Sequence, residues 1–87
     1  MPEPSNYSNN SQTLAMNVDE FSFETVEQVN GLATVIRFRL QQPMIKAGDV
    51  LVVLSGTDIH FHGMILNLED GWATASDRRD SLLPGTI

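Results

Sequence analysis

Residues 44–77 read MIKAGDVLVVLSGTDIHFHGMILNLEDGWATASD, and the fold turns on how this stretch is understood. It holds three apolar runs, at 50–54, 59–68 and 72–75, separated by the turns around Gly56 and Gly71. Runs this short, rich in Val, Ile and Leu and bounded by Gly, Asp and Ser, read as strands. Asp70-Gly71 fits a type I′ turn, which needs positive φ at both central residues. With that pair as the loop, Glu69 faces Trp72, Leu68 faces Ala73 and Leu66 faces Ala75, which sets small residues against leucines.

Upstream, a second hairpin is written in the same way. Asn30-Gly31 lies between two alternating segments, 21–29 and 32–41. If it forms the loop, Val29 faces Leu32, Thr25 faces Ile36, Phe23 faces Phe38 and Phe21 faces Leu40. On the other face Glu24 meets Arg37 and Val26 meets Val35. Aromatic pairs and opposite charges across strands each contribute a few tenths to about 1 kcal/mol. A one-residue slip would set Phe23 against an arginine, so the pattern specifies its own register. Pro43 ends this strand because it has no N–H to give the ladder. Ile45-Lys46-Ala47-Gly48-Asp49 then turns the chain into the next strand, with Asp49 as a turn cap. At the C-terminal end, Asp77 can cap a charged turn, 77–80, and residues 82–87 suggest a short last strand.

The expected fold is therefore all-β: a small single-domain barrel or sandwich of five to six antiparallel strands joined by β-hairpins. The domain is expected over residues 16–87. Residues 1–15, dominated by Ser, Asn, Pro and Gln, bury too little apolar surface to offset their ordering entropy and are expected to form a disordered tail.

Composition narrows the function. The 87 residues carry a net charge of −6 and no cysteine, so no thiolate metal site or disulfide framework is available. Glu3, Asp19, Glu20, Glu24 and Glu27 fall in the first 30 residues, which hold no Lys or Arg. An acidic chain without a basic stripe lacks the electrostatic term that dominates nucleic-acid binding, so neither nucleic acid nor a membrane is an expected partner. No apolar run approaches the roughly 18–20 residues that cross a bilayer, and the N-terminus lacks the features of a secretory leader; a cytoplasmic protein is expected. No phosphate loop, Cys–His pair or Ser–His–Asp arrangement is present, and the chain is expected to be non-catalytic.

Two features bear on what it does instead. The runs at 50–54 and 59–68 are apolar on both faces. By strict alternation Ile59, Phe61 and Ile65 point one way and Met64, Leu66 and Leu68 the other, whereas a sheet covered on one side would alternate apolar and polar. An uncovered apolar face marks an interaction site. The first expectation is a protein-interaction or assembly module that uses Phe61, Met64, Leu66, Leu68 and Trp72 for self-association or for a protein partner. The second feature is His60-Phe61-His62. Alternation puts both imidazoles on one face about 7 Å apart, close enough to share a divalent metal. Zinc would require a third protein ligand in a catalytic site and usually four in a structural one. The first reading needs no cofactor.

Two resemblances follow from the residues already quoted. Gly48-Asp49-Val50-Leu51-Val52-Val53 followed by Ser55-Gly56-Thr57-Asp58-Ile59-His60 resembles the second motif of cupins, where a Gly-Asp turn, an apolar strand and a Gly turn lead to a metal-binding His. That implies a cupin-like metal-binding domain using His60 and His62. The chain departs from the motif at Leu54, where cupins have Pro, and it lacks the upstream His-x-His. Residues 45–52 and 61–65 also resemble small closed barrels such as the second domain of translation GTPases and the hub domains of phage tail and secretion spikes, in which a Gly at the position of Gly63 lets a strand bend.

Overall fold

The computed structural model describes residues 12–85. The part of the expected tail at residues 1–11 and the C-terminal 86–87 lie outside the described residues. Six strands form one sheet: β1 (Thr13–Asn17), β2 (Glu24–Val29), β3 (Leu32–Arg39), β4 (Val50–Ser55), β5 (Asp58–Glu69) and β6 (Trp72–Ser76). A single 3-10 turn, Val18–Glu20, follows β1. The spatial order is β1-β4-β5-β6-β3-β2. The protein is thus all-β, with hairpins joining β2 to β3, β4 to β5 and β5 to β6.

The sheet is mixed rather than purely antiparallel, because β1 lies parallel to β4. β1 also takes in residues 13–15, which the sequence reading assigns to the tail. Leu14 is what draws them in: it is buried in the core beside Leu51, its partner on β4. The terminal strands of the sheet, β1 and β2, are not hydrogen-bonded to each other.

Both type I′ turns form as expected. Asn30, Gly31, Asp70 and Gly71 have φ of 55°, 81°, 56° and 82°. The register of the first hairpin holds at Glu24–Arg37, Thr25–Ile36 and Val29–Leu32. Between them a bulge moves Glu27 opposite Val35 and leaves Val26 unpaired and 52% exposed, so the expected Val26–Val35 pair is not made. Phe21 and Phe23 precede β2 rather than belonging to it. Phe21, not Phe23, meets Phe38, with ring centroids 5.2 Å apart, and Phe23 stacks on Phe21 at 5.6 Å.

The twelve-residue β5 is the spine of the sheet and carries two bulges. His60 is the extra residue opposite β4, and Leu66 is the extra residue opposite β6. Bulges bend a strand and increase its twist, and each resets the alternation of side chains. Ile59 is therefore exposed, although strict alternation groups it with the buried Phe61 and Ile65. Between the bulges sits Gly63. A Cβ there would meet the Ser76 carbonyl oxygen and come within 2.7 Å of Phe61 Cε1. Only glycine permits this approach of β5 to β6. The inner face alternates large and small across strands: Ile36–Ala75–Ile65 and Phe38–Ala73–Leu68 form rows, and Leu51 lies opposite Gly63. Small residues in the middle of each row let the sheet curl around Phe38, Phe61, Ile36, Leu51, Ile65 and Leu83. Burial of each such side chain stabilises by about 1.5–3 kcal/mol.

Among the described residues the C-terminal run, 82–85, makes no further strand. It closes the core as an irregular cap: Leu83 is buried, its carbonyl accepts from the Ala33 N–H at 2.7 Å, and Pro84 makes only an isolated bridge to Leu32.

Two buried carboxylates fasten the loops. Asp49 accepts from the N–H groups of Gln12 (3.0 Å) and Lys46 (2.9 Å) and from Lys46 Nζ (3.1 Å). It locks the 46–49 turn to the start of β1. The backbone donors of Gln12 and Lys46 favour the ionised form and hold its carboxyl below the ordinary value of 3.8. A depressed native value gives stability that is present above the ordinary carboxylate range and is lost as pH falls through it. Wild-type melting temperature should therefore fall as the pH is lowered below about 4. An Asp49→Asn variant should start lower at neutral pH and lose less on acidification; parallel curves for the two proteins would contradict the assignment. Gly63→Ala should destabilise by about 1–3 kcal/mol in urea unfolding, because a backbone oxygen cannot yield to the new methyl group.

Candidate functional site

The surface opposite the core divides into two halves, and the strand register assigns each residue to one of them. On the β1-β4-β5 side, cross-strand rows run Thr13–Val50–Met64, Ala15–Val52–His62 and Asn17–Leu54–Ile59. Val50, Val52 and Leu54 are half-buried, and Ile59 and Met64 are exposed. This half is apolar apart from its margins. The turn at 77–80 walls it on one side, forming an open groove of about 470 Å³ floored by Val50, Gly63 and Met64 and rimmed by His62, Arg78 and Asp80. Asp77 builds the wall. Its buried carboxylate accepts from the N–H groups of His62 (2.8 Å), Arg79 (3.3 Å) and Asp80 (3.0 Å), tying the turn to the middle of β5. Arg78 on this rim pairs with Glu27 of β2, at 3.2 Å.

On the β2-β3-β6 side the rows are Glu24–Arg37–Thr74–Asn67 and Arg39–Trp72–Glu69. This half is polar around one ring. The guanidinium carbons of Arg37 and Arg39 lie 4.4 Å and 5.1 Å from the Trp72 ring centroid. Cation–π contacts of this kind hold both arginines to the Trp72 ring at about 0.5–1 kcal/mol each for exposed pairs.

The expected interaction residues separate between these environments. Phe61 is not available to a partner: it is 0% exposed and central to the core. Met64 stands on the apolar half, 54% exposed. Leu66 is the bulged residue and is exposed. Leu68 does not share Met64's face, because the bulge at Leu66 puts it in register with the inward Ala73, where it borders a groove with Leu40, Ile45 and Trp72. Trp72 belongs to the polar half. Met64, Leu66 and Leu68 are thus not the single row that strict alternation predicts. Val50 and Val52, part of the two-faced run at 50–54, take their places beside Met64 and His62 from the antiparallel pairing of β4 with β5; what sequence reasoning missed is Ala15, which the parallel pairing of β1 brings beside Val52.

His60 and His62 flank Phe61 in β5. His60 is a bulge residue, half-buried, and its carbonyl accepts from the Leu82 N–H at 2.7 Å. The alternation that sets both imidazoles on one face does not run through a bulge. His62 is exposed, and its backbone is held by Asp77. Among the described residues no group of three or more His, Asp or Glu side chains is close enough to hold a metal ion. Asp77, the carboxylate nearest His62 in the hydrogen-bond network, already accepts three backbone donors.

The chain matches no protein-family model, no curated protein and no solved structure. No helix among the described residues is long and apolar enough to cross a membrane.

Because no third ligand joins His60 and His62 among the described residues, adding zinc or nickel in slight excess should leave the melting temperature of chelator-treated protein unchanged. A metal-induced rise that disappears in the His60→Ala, His62→Ala double variant would show that the pair is completed by another donor.

Proposed function

We propose that this chain is a non-catalytic interaction or assembly module, a partly open barrel that presents the apolar half of its outer face to a protein partner. The observation that carries this reading is Met64, a large apolar side chain left exposed in the middle of a strand, beside Val50 and Val52 and under a charged turn. Exposed apolar surface rimmed by polar groups is the usual mark of a contact site. The surroundings resemble those of interface anchors: an apolar floor with charge confined to the rim. Asp77 supports the reading as well, because it fixes the rim to the floor and pre-organises the groove, which lowers the ordering cost of binding. A cupin-like metal domain has less support, since His60 lies at a bulge and no third ligand stands with the two histidines among the described residues.

The test is site-specific photo-crosslinking in cells of the natural host, with the photoreactive residue placed at position 64 or, as a control, at Asn67 on the polar half. A discrete covalent adduct from position 64, absent from position 67, is expected. Its abundance should drop severalfold when Val50→Asp is added in the same chain. No adduct at 64, or equal adducts from both positions, would remove the apolar half from consideration as the contact surface.

A further inference from the structure

The two outermost strands of the sheet are built in opposite ways. β2 is blunted: it carries Glu24 and Glu27, it is bulged at Val26, and its ladder to β3 is irregular. Charge and bulges of this kind are how proteins protect an exposed edge from pairing with other chains. β1 has neither. Its sequence Thr-Leu-Ala-Met-Asn contains no charge and no proline, and its ladder to β4 runs without a register shift.

The direction of its peptide groups can be read from one hydrogen bond. The Gln12 carbonyl accepts from the Val50 N–H at 2.9 Å, so residue 12 faces β4. Peptide groups alternate sides along a strand. Leu14 and Met16 therefore also face β4, and the N–H and C=O groups of Thr13, Ala15 and Asn17 face away from it. Among the described residues β1 pairs only with β4.

We propose that β1 is a pairing edge that joins, antiparallel and about a two-fold axis through Ala15, to β1 of a second copy of this chain. This rests on the interaction-module reading and names a second copy as one partner. The five residues are self-complementary in that register. Ala15 meets Ala15 of the second copy, and Thr13 meets Asn17 of the second copy; these are the hydrogen-bonded pairs, each exchanging two backbone bonds. Between them Leu14 meets Met16 of the second copy on the inner face, apolar against apolar. A two-fold contact uses the same patch on both copies, and here every position tolerates its mate. The same operation on β2 has no such match, because pairing through its centre opposes Val26 to Glu27 and the bulge breaks the ladder.

The contact is small. A five-residue strand pair falls below the roughly 1,600 Å² of a standard stable interface, so the dimer is concentration-dependent, forming at about micromolar to millimolar protein. Each copy carries −6, so added salt strengthens the association by screening repulsion between the bodies of the two copies.

The test is light scattering of the full chain across that concentration range, with two variants of equal charge change. Ala15→Glu sets like charges face to face on the proposed axis, at an exposed side chain the monomer does not need. Gln28→Glu makes the same change on β2. Wild type and Gln28→Glu should rise from 9.6 kDa toward twice that mass, and Ala15→Glu should need at least roughly tenfold more protein to do so. Amide exchange at Thr13, Ala15 and Asn17 should slow with concentration in wild type only, while Leu14 and Met16 stay protected throughout. A wild type that remains at 9.6 kDa, or an Ala15→Glu variant that associates equally well, overturns the proposal. Crosslinking from position 64, run in the otherwise wild-type chain, keeps the two readings apart. A wild type that stays monomeric while the position-64 adduct forms sinks only the β1 pairing; a wild type whose self-association is lost in Ala15→Glu, but which gives no adduct from position 64, sinks only the apolar-face reading.

Discussion

The close approach of β5 to β6 at Gly63 is the constraint on which the structure depends. With no side chain at that position, the Ser76 carbonyl and the Phe61 ring can both lie against its Cα. The strand can then bend between its two bulges, and the sheet can curl enough to enclose a core from a single layer. Ala73 and Ala75 on the neighbouring strand serve the same end, keeping the middle of each cross-strand row thin. A single sheet in a chain of this length has little apolar area to bury, and a flat one would leave Phe61 and Ile65 half in water. Curvature is therefore not decoration on this fold but the means by which it has a core.

Two aspartates hold the curved sheet to its loops. Asp49 and Asp77 are both buried, and both are satisfied mainly by backbone N–H groups rather than by opposite charges. Bonds of this type are strong because the acceptor is ionised, and they leave costly orphan donors when the carboxylate is removed. Asp49 joins the turn before β4 to the beginning of β1, so the parallel strand is anchored at its start. Asp77 joins the last turn to the centre of β5. One fastener thus shapes the edge at which β1 ends the sheet, and the other shapes the groove beside Met64. The features read here as functional are outgrowths of what keeps the small domain folded.

The outer face separates chemistry by strand. Where β4 is central, valines and a methionine are left facing outward. Where β3 is central, arginines stand over Trp72. The division arises because β4 has apolar residues at both parities and β3 alternates Ile36 and Phe38 with Arg37 and Arg39.

The all-β class, both type I′ hairpins, most of the first register and the turn-capping roles of Asp49 and Asp77 were legible in the sequence, because each rests on local rules: positive φ at Asn-Gly and Asp-Gly, period-two alternation, and short polar side chains beside turns. The apolar outer face was legible too, in the two-sided hydrophobicity of 50–54. The membership of the site was not. Phe61 went to the core, on the face opposite Met64 as alternation implies, whereas Ile59 turned outward and Leu68 inward, because a single inserted residue shifts the parity of everything beyond it, and no local pattern announces an insertion that only the partner strand defines. The strand at Thr13–Asn17 was hidden for a related reason: its residues are weak strand formers that pair only because β4, some 35 residues later, offers an edge and Leu51 offers a place for Leu14. Local sequence determined which segments extend and where they turn. Tertiary pairing alone decided which way each side chain faces.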